Sequence, residues 1–211
     1  MNFITIDIES FTTDVTKPCI VQIGVCLCYE GEFYTHAIYV HPLVENIDVK
    51  TLQWWSTQEG YRHLIDNLSY DNSKIAGTVL YALETLSKKL ISTLGFIIPK
   101  NKTTAIREFG KLDWYANPPQ FDMAMIENQI KLERGASAAT SYVPWGQWRV
   151  KCQSTLRLTL GKDLRDEAIK QTIEANSNSG IDRVLLQHDA GFDAEMQARE
   201  MVMLLRRAKG F

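Results

Sequence analysis

Five side chains in three short segments of the chain carry residue types that metal-dependent chemistry uses. Two lie near the start, one in the middle and two near the end: Asp7, Glu9, Asp122, His188 and Asp193. Each segment places a carboxylate where it would serve as a metal ligand, and the last also places a histidine five residues before its carboxylate. Oxygen ligands of this kind suit Mg²⁺ or Mn²⁺.

The first pair, Asp7 and Glu9, lies within FITIDIES, residues 3–10. On a strand, residues two apart point to the same face, where two carboxylates repel each other unless a cation lies between them. A pair of solvated acids on an edge strand is the alternative. Ile4, Ile6 and Ile8 would fill the opposite face, so the segment predicts a buried strand with one charged face.

The middle carboxylate, Asp122, follows Pro118-Pro119 at the predicted start of a helix. Taken alone, an aspartate there is typical of a helix cap or of a first turn that complements the helix dipole. It becomes a ligand candidate because it accompanies the other two segments.

His188 and Asp193 would not share a face if the whole segment were helical, because they are five residues apart. Gly191 and a helix start nearby place His188 on the preceding loop. A surface histidine beside a surface aspartate is the alternative interpretation.

Three apolar segments predict the strands that position the first pair. They cover residues 2–8, 19–29 and 33–41, and the last two are joined by the turn Glu30-Gly31-Glu32. This start predicts a three-stranded meander. Residues 103–116 predict a further strand or two.

Helical spacing of apolar residues predicts the remaining elements. Two short pieces broken near Gly60 fall within 51–68, and further helices cover 74–94, Phe121 to about Arg134, 155–160, 162–175, and about Val184 or His188 to Lys209. The 211 residues therefore predict a single α/β domain, 1–211, with a mixed sheet flanked by helices.

Composition limits the partners and the compartment. A net charge of −2 and a pI of about 6.1 argue against binding nucleic acid through bulk electrostatics, so such contact is expected to be local. We expect no membrane span, because no apolar run approaches the roughly 20 residues required, and no signal peptide is evident. Four cysteines without a CxxC pair favour core thiols in a reducing cytoplasm over a zinc site.

The three segments together resemble the DEDD superfamily of 3'→5' exonucleases, in its histidine-containing branch. That family has a DxE motif on its first strand, an aspartate opening a middle helix and an H-x-x-x-x-D motif at its last helix. In this chain the motifs read Asp7-x-Glu9, Phe121-Asp122 and His188-x-x-x-x-Asp193, in the same order.

Three further segments resemble a narrower group. TLQWWSTQ (51–58), VPWGQWRVKCQSTLRL (143–158) and FDAEMQA (192–198) are similar to segments of phage exonucleases, among them exonuclease A of the T-even phages, and of the mycobacterial 3'-5' exoribonuclease-like domain. Lys151-Cys152 stands where Arg-Asp is common in that group.

The resemblance implies a ribonuclease H-like fold with a five-stranded mixed sheet. It implies that Asp7, Glu9 and Asp193 bind a first metal ion, and that Asp7 bridges to a second ion supported by Asp122. His188 would act as general base, and the product would be a nucleoside 5'-monophosphate. The implied cofactors are two Mg²⁺ or Mn²⁺ ions.

The resemblance also implies substrate contacts around the 3' end. Ser10 and Phe11 would meet the terminal sugar and base, and Phe121 is a second candidate for stacking, with core packing as its alternative. Of the adjacent Trp54 and Trp55, we expect one in the core and one on the cleft, and we take Trp55 as the substrate contact. Arg149 is a candidate phosphate contact, with solvated surface as the alternative.

The leading prediction is a two-metal 3'→5' exonuclease acting in the cytoplasm, that of a bacterial host if a phage encodes it. Single-stranded DNA is favoured over RNA, because the Trp-Trp segment and the compact domain are similar to the phage enzymes. An exoribonuclease of the same mechanism is the alternative. A non-catalytic nucleic-acid binder and a proofreading subunit of a polymerase are less favoured, and the sequence leaves the oligomeric state open.

Overall fold

Six strands form one mixed sheet in the part of the chain that the structure, a computed structural model, describes: residues 1–70, 75–98, 102–135, 143–145, 149–161, 163–177 and 188–210. The strands are β1 Phe3–Ser10, β2 Ile20–Tyr29, β3 Glu32–Val40, β4 Ile75–Ala76, β5 Asp113–Ala116 and β6 Val150–Cys152. Their order across the sheet is β4-β3-β2-β1-β5-β6. The pairs β1–β2 and β2–β3 are antiparallel, and the pairs β3–β4, β1–β5 and β5–β6 are parallel.

Helices cover both faces of the sheet. They are α1 Val49–Trp55, α2 Tyr61–Tyr70, α3 Val79–Ile97, α4 Lys102–Phe109, α5 Pro119–Arg134, α6 Gln153–Leu160, α7 Leu164–Asn176 and α8 Ala190–Ala208, with a short 3₁₀ turn at Val44–Asn46. Among the described residues, none of these helices combines the length and apolar character needed to cross a bilayer.

Strand β1 lies in the middle of the sheet and divides the core into two layers. Ile4, Ile6 and Ile8 are buried with the apolar side of α3, on one face. The opposite face carries Thr5, whose hydroxyl donates to the carbonyl of Ala194 in α8 at 2.6 Å. The charged face of β1 therefore lies under the last helix.

Helix α8 packs closely on the sheet because small residues line its sheet-facing side. Ala190, Gly191, Ala194 and Ala198 are all buried there. A Cβ placed on Gly24 of β2 would lie 2.0 Å from the carbonyl oxygen of Ala190, so only glycine permits this approach. The close contact brings the start of α8 to the strand next to β1.

The predicted meander, the break near Gly60 and the mixed sheet flanked by helices are confirmed. The predicted number of five strands is wrong, since the sheet has six. Ile75 and Ala76 pair with β3 instead of starting a helix, and Thr78 then caps α3 by accepting from the Tyr81 amide at 3.1 Å. Strands of two and three residues are too short to show alternation in a sequence.

Other elements lie close to their predicted positions. Residues 102–109 form a helix before the expected strand, and α8 begins at Ala190, while residues 184–187 lie outside the described part. The predicted core thiols are confirmed for Cys19, Cys26 and Cys28, which are buried and free, whereas Cys152 is partly exposed.

Candidate active site

Asp7 and Glu9 share the face of β1 that α8 covers. In the antiparallel register with β2, Asp7 lies opposite Gly24 and Glu9 lies opposite Gln22. Glu9 is 7 % exposed, and the ladder shifts register immediately after it, between Glu9 and Ser10. The pair therefore stands at the end of the central strand on one side, with Glu9 buried and Asp7 partly exposed.

Asp122 reaches the same edge of the sheet through β5. Because β5 runs parallel to β1, the carboxyl ends of both strands meet there, and α5 starts directly after β5. Asp122 lies in the first turn of α5, is 4 % exposed, and accepts a hydrogen bond from the Asn117 amide at 3.2 Å. Its charge acts on both Asp7 and Glu9.

The start of α8 places His188 and Asp193 near Glu9. Asp189 caps the helix by accepting from the Phe192 amide at 3.0 Å, and Asp193 lies in the first turn. His188 precedes the cap with a φ of 60°, on the loop side as predicted. One ligand atom each of Glu9, His188 and Asp193 lie within 4.8 Å of one another.

Burial and mutual repulsion raise the pKa values of the four carboxyl groups. Burial, and then the charges of Asp122, Asp193 and Glu9, raise the pKa of Asp7 well above its usual value. Burial followed by Asp193, Asp189 and Asp122 does the same for the pKa of Glu9. Burial raises the pKa of Asp122 to about 7 and that of Asp193 to about 7.

This donor set fits a divalent cation. Four carboxylates close together and largely shielded from water are costly as anions, and a hard cation among them would offset both the repulsion and the desolvation penalty. Carboxylate oxygens are the ligands that Mg²⁺ and Mn²⁺ prefer. The structure thus contains a possible acidic metal site.

His188 packs against two indole rings that also contact each other. Its ring centroid lies 5.2 Å from that of Trp54 and 5.6 Å from that of Trp55, both edge-on. Burial lowers the pKa of His188 below its usual value of 6.5. At neutral pH the imidazole is therefore uncharged and able to accept a proton.

A cleft of about 550 Å³ opens beside these residues. Its walls come from β1, the following loop, α1 and α5, and its lining includes Glu9, Ser10, Thr12, Trp54, Trp55 and Phe121. The volume suits a nucleotide-sized ligand. Three of the predicted substrate contacts, Ser10, Trp55 and Phe121, lie on this wall.

The two adjacent tryptophans both line the cleft but differ in exposure. Trp55 is 2 % exposed and its indole Nε1 donates to the Ser10 carbonyl at 2.9 Å, so it supports the wall. Trp54 is 48 % exposed and lines the cleft. Trp54 is therefore the more exposed ring, and Trp55 as a substrate contact stays a prediction.

Phe11 lies in the core instead of on the cleft. It is 3 % exposed and packs edge-on against Trp55, with ring centroids 6.4 Å apart, in a cluster with Val21 and Leu64. The ladder shift after Glu9 precedes it, and a sequence does not reveal such a change of direction.

Arg149 lies at the opposite end of the sheet from the carboxylates. It precedes β6 beside Asp113, which is paired with Phe3, six residues before Glu9. At about 3.3 Å per residue this separates it from Glu9 by roughly 20 Å. Its guanidinium contacts the Lys111 carbonyl and lies 3.8 Å from Asp113, so it is not a phosphate contact at this cleft.

Three polar residues beside the site were not predicted from the sequence: Gln22, Asp189 and Gln197. Gln197 donates to Asp7 at 2.7 Å, and Gln22 donates to Asp189 at 2.7 Å. Gln197 stands within the FDAEMQA segment, which was the one signal for it. Gln22 carries no signal of its own, because its partners Asp189 and Ala190 are distant in the chain.

A family model described as the 3'-5' exoribonuclease Rv2179c-like domain matches residues 2–205. No curated protein matches the chain significantly. The likeness to exonuclease A of the T-even phages stays a prediction.

Proposed function

The chain belongs to the 3'-5' exoribonuclease Rv2179c-like domain family and is a 3'-5' exonuclease, and from this premise we propose that it removes nucleotides one at a time from the 3' end of single-stranded RNA with the help of divalent metal ions. One observation carries this proposal: Asp7, Glu9, Asp122 and Asp193 meet at one buried edge of the sheet, beside His188 and an open cleft.

Four carboxylates would hold the ions. Asp7, Glu9 and Asp193 are assigned to a first Mg²⁺ or Mn²⁺, and Asp7 with Asp122 to a second. When bound, such a pair stabilises the attacking and leaving oxygens of an in-line phosphoryl displacement. The chain contributes ligands on a central strand and on two helix starts, with Glu9 and Asp122 buried and Asp7 and Asp193 partly exposed.

His188 would receive the proton of the attacking water. The water oxygen forms a bond to the phosphorus of the last phosphodiester while the bond from phosphorus to the 3' oxygen of the preceding nucleotide breaks. That oxygen leaves and is protonated by solvent, and the released product is a nucleoside 5'-monophosphate. The lowered pKa of His188 keeps the base neutral in the pH range where the carboxylates are ionised.

The cleft would hold the terminal nucleotide. The exposed indole of Trp54 offers a face for stacking the base, and Phe121 lies on the same wall. Such stacking is worth about 1–3 kcal/mol per base and tolerates any sequence. Since the chain has a net charge of −2, these contacts and the bound cations replace a broad basic surface.

RNA is proposed as the substrate because the family description names an exoribonuclease. The preference for DNA expected from the sequence finds no support in that description. DNA remains the second candidate on one observation, the similarity of TLQWWSTQ to phage exonucleases. Contacts to the 2'-hydroxyl would discriminate between the two.

The test uses 5'-labelled RNA and DNA strands of one sequence, each incubated with Mg²⁺, Mn²⁺ or EDTA. We expect a ladder that shortens from the 3' end of RNA, depends on metal, and is lost in Asp7→Asn and strongly slowed in His188→Ala. Asp66→Asn, an exposed aspartate of α2, is the matched control and should behave as wild type.

Two outcomes would change the proposal. Faster shortening of the DNA strand would move the substrate to the second candidate. Tight binding of both strands without cleavage under any metal condition would replace the exonuclease with a non-catalytic binder.

A further inference from the structure

We propose that Gln22 is the positioning residue of His188, holding the proposed general base at a defined place relative to Glu9. This inference rests on the proposed function and concerns how the proton acceptor is placed. Gln22 lies on β2, is 1 % exposed, and stands directly opposite Glu9 in the antiparallel ladder.

Both ends of the Gln22 amide hold the two residues that follow His188. Its Nε2 donates to Oδ2 of Asp189 at 2.7 Å, and its Oε1 accepts from the backbone amide of Ala190 at 2.9 Å. The other oxygen of Asp189 accepts from the Phe192 amide at 3.0 Å. The start of α8 is thereby fixed by a buried side chain of the sheet.

The backbone at His188 needs such support. Its φ of 60° lies in the left-handed region, which non-glycine residues adopt uncommonly, although asparagine, aspartate and histidine do so more often than the others. Positions of this kind persist when the surrounding structure determines them. Asp189 and Ala190 directly follow His188, and Gln22 holds both.

Close packing limits any other arrangement of this turn. The backbone of Gly24, on the same face of β2 as Gln22, touches the Ala190 carbonyl, where a Cβ would lie at 2.0 Å. A Cβ on Gly191 would lie 3.1 Å from that of Ala37 in β3. The helix start therefore rests against two strands, and the Gln22 amide sets its position along them.

Gln22 thus connects the proposed general base, His188, with the proposed metal ligand Glu9. The backbone of Gln22 is paired with Glu9, its side chain holds the residues after His188, and Trp54 with Trp55 orient the imidazole. Displacing a catalytic group by about 1 Å can cost a hundredfold in rate.

The first arm of the test is Gln22→Met, which keeps the length of the side chain and removes both hydrogen bonds. We expect kcat on the 5'-labelled RNA to fall about ten- to a hundredfold, with KM and the Mn²⁺ requirement within about threefold of wild type. In a His188→Ala background the same substitution should change kcat by less than about threefold, because the group it positions is absent.

The second arm exchanges the partners. Gln22→Glu retains the acceptor for the Ala190 amide but faces the Asp189 carboxylate, so we expect a fall of at least about tenfold. Combining Gln22→Glu with Asp189→Asn restores a donor and an acceptor and leaves the net charge unchanged. The double variant should recover kcat to within about threefold of wild type.

Each result bears on the proposal. Equal losses from Gln22→Met with and without His188 would overturn it, as would a folded double variant that recovers nothing. A double variant that fails to fold also counts against it, because the exchanged pair should preserve the helix start. A wild-type protein that cleaves neither strand refutes the proposed function itself, which separates the two failures.

Discussion

Gln197 donates a hydrogen bond to Oδ1 of Asp7 at 2.7 Å and so joins the last helix to the central strand, 190 positions earlier in the chain. The bond favours the ionised carboxylate and opposes the burial that raises the pKa of Asp7. The backbone carbonyl of Gln197 in turn accepts from the Gln153 side chain at 3.2 Å. The proposed bridging ligand is therefore oriented by a buried amide.

Replacing Gln197 should weaken metal binding. Gln197→Leu removes the hydrogen bond, so the pKa of Asp7 rises further and its carboxylate loses its orientation. We expect the Mn²⁺ concentration for half-maximal activity to rise about ten- to a hundredfold. A metal titration of exonuclease activity measures this.

Gln171→Leu is the matched control for that variant. Gln171 lies on α7 and bonds Glu167 at the surface, so its loss should leave the metal titration unchanged. An unaltered Mn²⁺ requirement in Gln197→Leu would show that the hydrogen bond does not support the site.

The two tryptophans should separate stability from substrate binding. Trp55→Ala empties a buried position and removes the bond to Ser10, so unfolding free energy should fall by about 3–5 kcal/mol. Trp54→Ala should cost less than about 1 kcal/mol, because the ring is half exposed, yet raise KM about tenfold through lost stacking. Denaturant unfolding and steady-state kinetics measure the two effects.

The reverse pattern would contradict this division. A KM unchanged by Trp54→Ala, with stable protein, would remove its indole from the proposed base contact. A Trp55→Ala variant as stable as wild type would mean that the hydrogen bond and the edge-on contacts with Phe11 and His188 contribute little.

The metal-free protein should lose stability as pH rises. The folded-state pKa values of Asp122 and Asp193, about 7, exceed the ordinary value of 3.8, so the folded protein binds more protons than the unfolded one between these limits. Unfolding free energy therefore falls with rising pH in that window. In EDTA we expect Tm to fall by at least about 5 °C from pH 5 to pH 8.

Two comparisons isolate this effect. Asp122→Asn removes one of the repelling charges, so its Tm in EDTA should fall less over the same range and exceed that of wild type at pH 8. Saturating Mn²⁺ should raise the wild-type Tm most at pH 8. A wild-type Tm in EDTA that rises steadily to pH 8 would rule out the proposed repulsion.

A buried ion pair lies next to the glutamine side chains that orient Asp7. Gln153, which donates to the Gln197 carbonyl, also donates to Glu200 of this pair at 2.7 Å. Arg157 Nη2 lies 2.5 Å from Glu200 Oε2, and the Glu200 side chain is fully buried. Arg157→Ala leaves that charge unpaired and should cost about 3–5 kcal/mol of unfolding free energy. Replacing both residues with methionine should cost much less, which a double-mutant cycle by urea unfolding measures.

An exposed pair provides the comparison. Arg207 lies 2.9 Å from Asp163 with both side chains solvated, so Arg207→Met should change stability by less than about 1 kcal/mol. Equal costs for Arg157→Ala and Arg207→Met would show that burial does not strengthen the dependence on the inner pair.

The correct predictions of strands, helices and the position of Asp122 came from local sequence patterns. The alternation of Ile4, Ile6 and Ile8 with the acids identified the buried strand, and leucines three and four residues apart identified α3. The proline pair placed Asp122 in a first helical turn. Each of these signals lies within a few neighbouring residues, which is the range that periodicity can report.

Features that depend on distant pairing were not predictable in the same way. The short β6 exists because β5 provides its partner, and Arg149 takes its place from that register. The choice between Trp54 and Trp55 depends on where the chain turns after β1. Gln22 and Gln197 act on residues 167 and 190 positions away, so local periodicity reveals neither contact.

The central claim is that the buried carboxylates bind divalent metal ions, and calorimetric titration of Mn²⁺ into the protein at pH 8 with a nucleoside 5'-monophosphate tests it most directly. We predict two ions per chain for wild type and for Asp66→Asn. Asp7→Asn should lose this binding while remaining folded. Absence of binding in wild type, or equal binding in Asp7→Asn, would contradict the account.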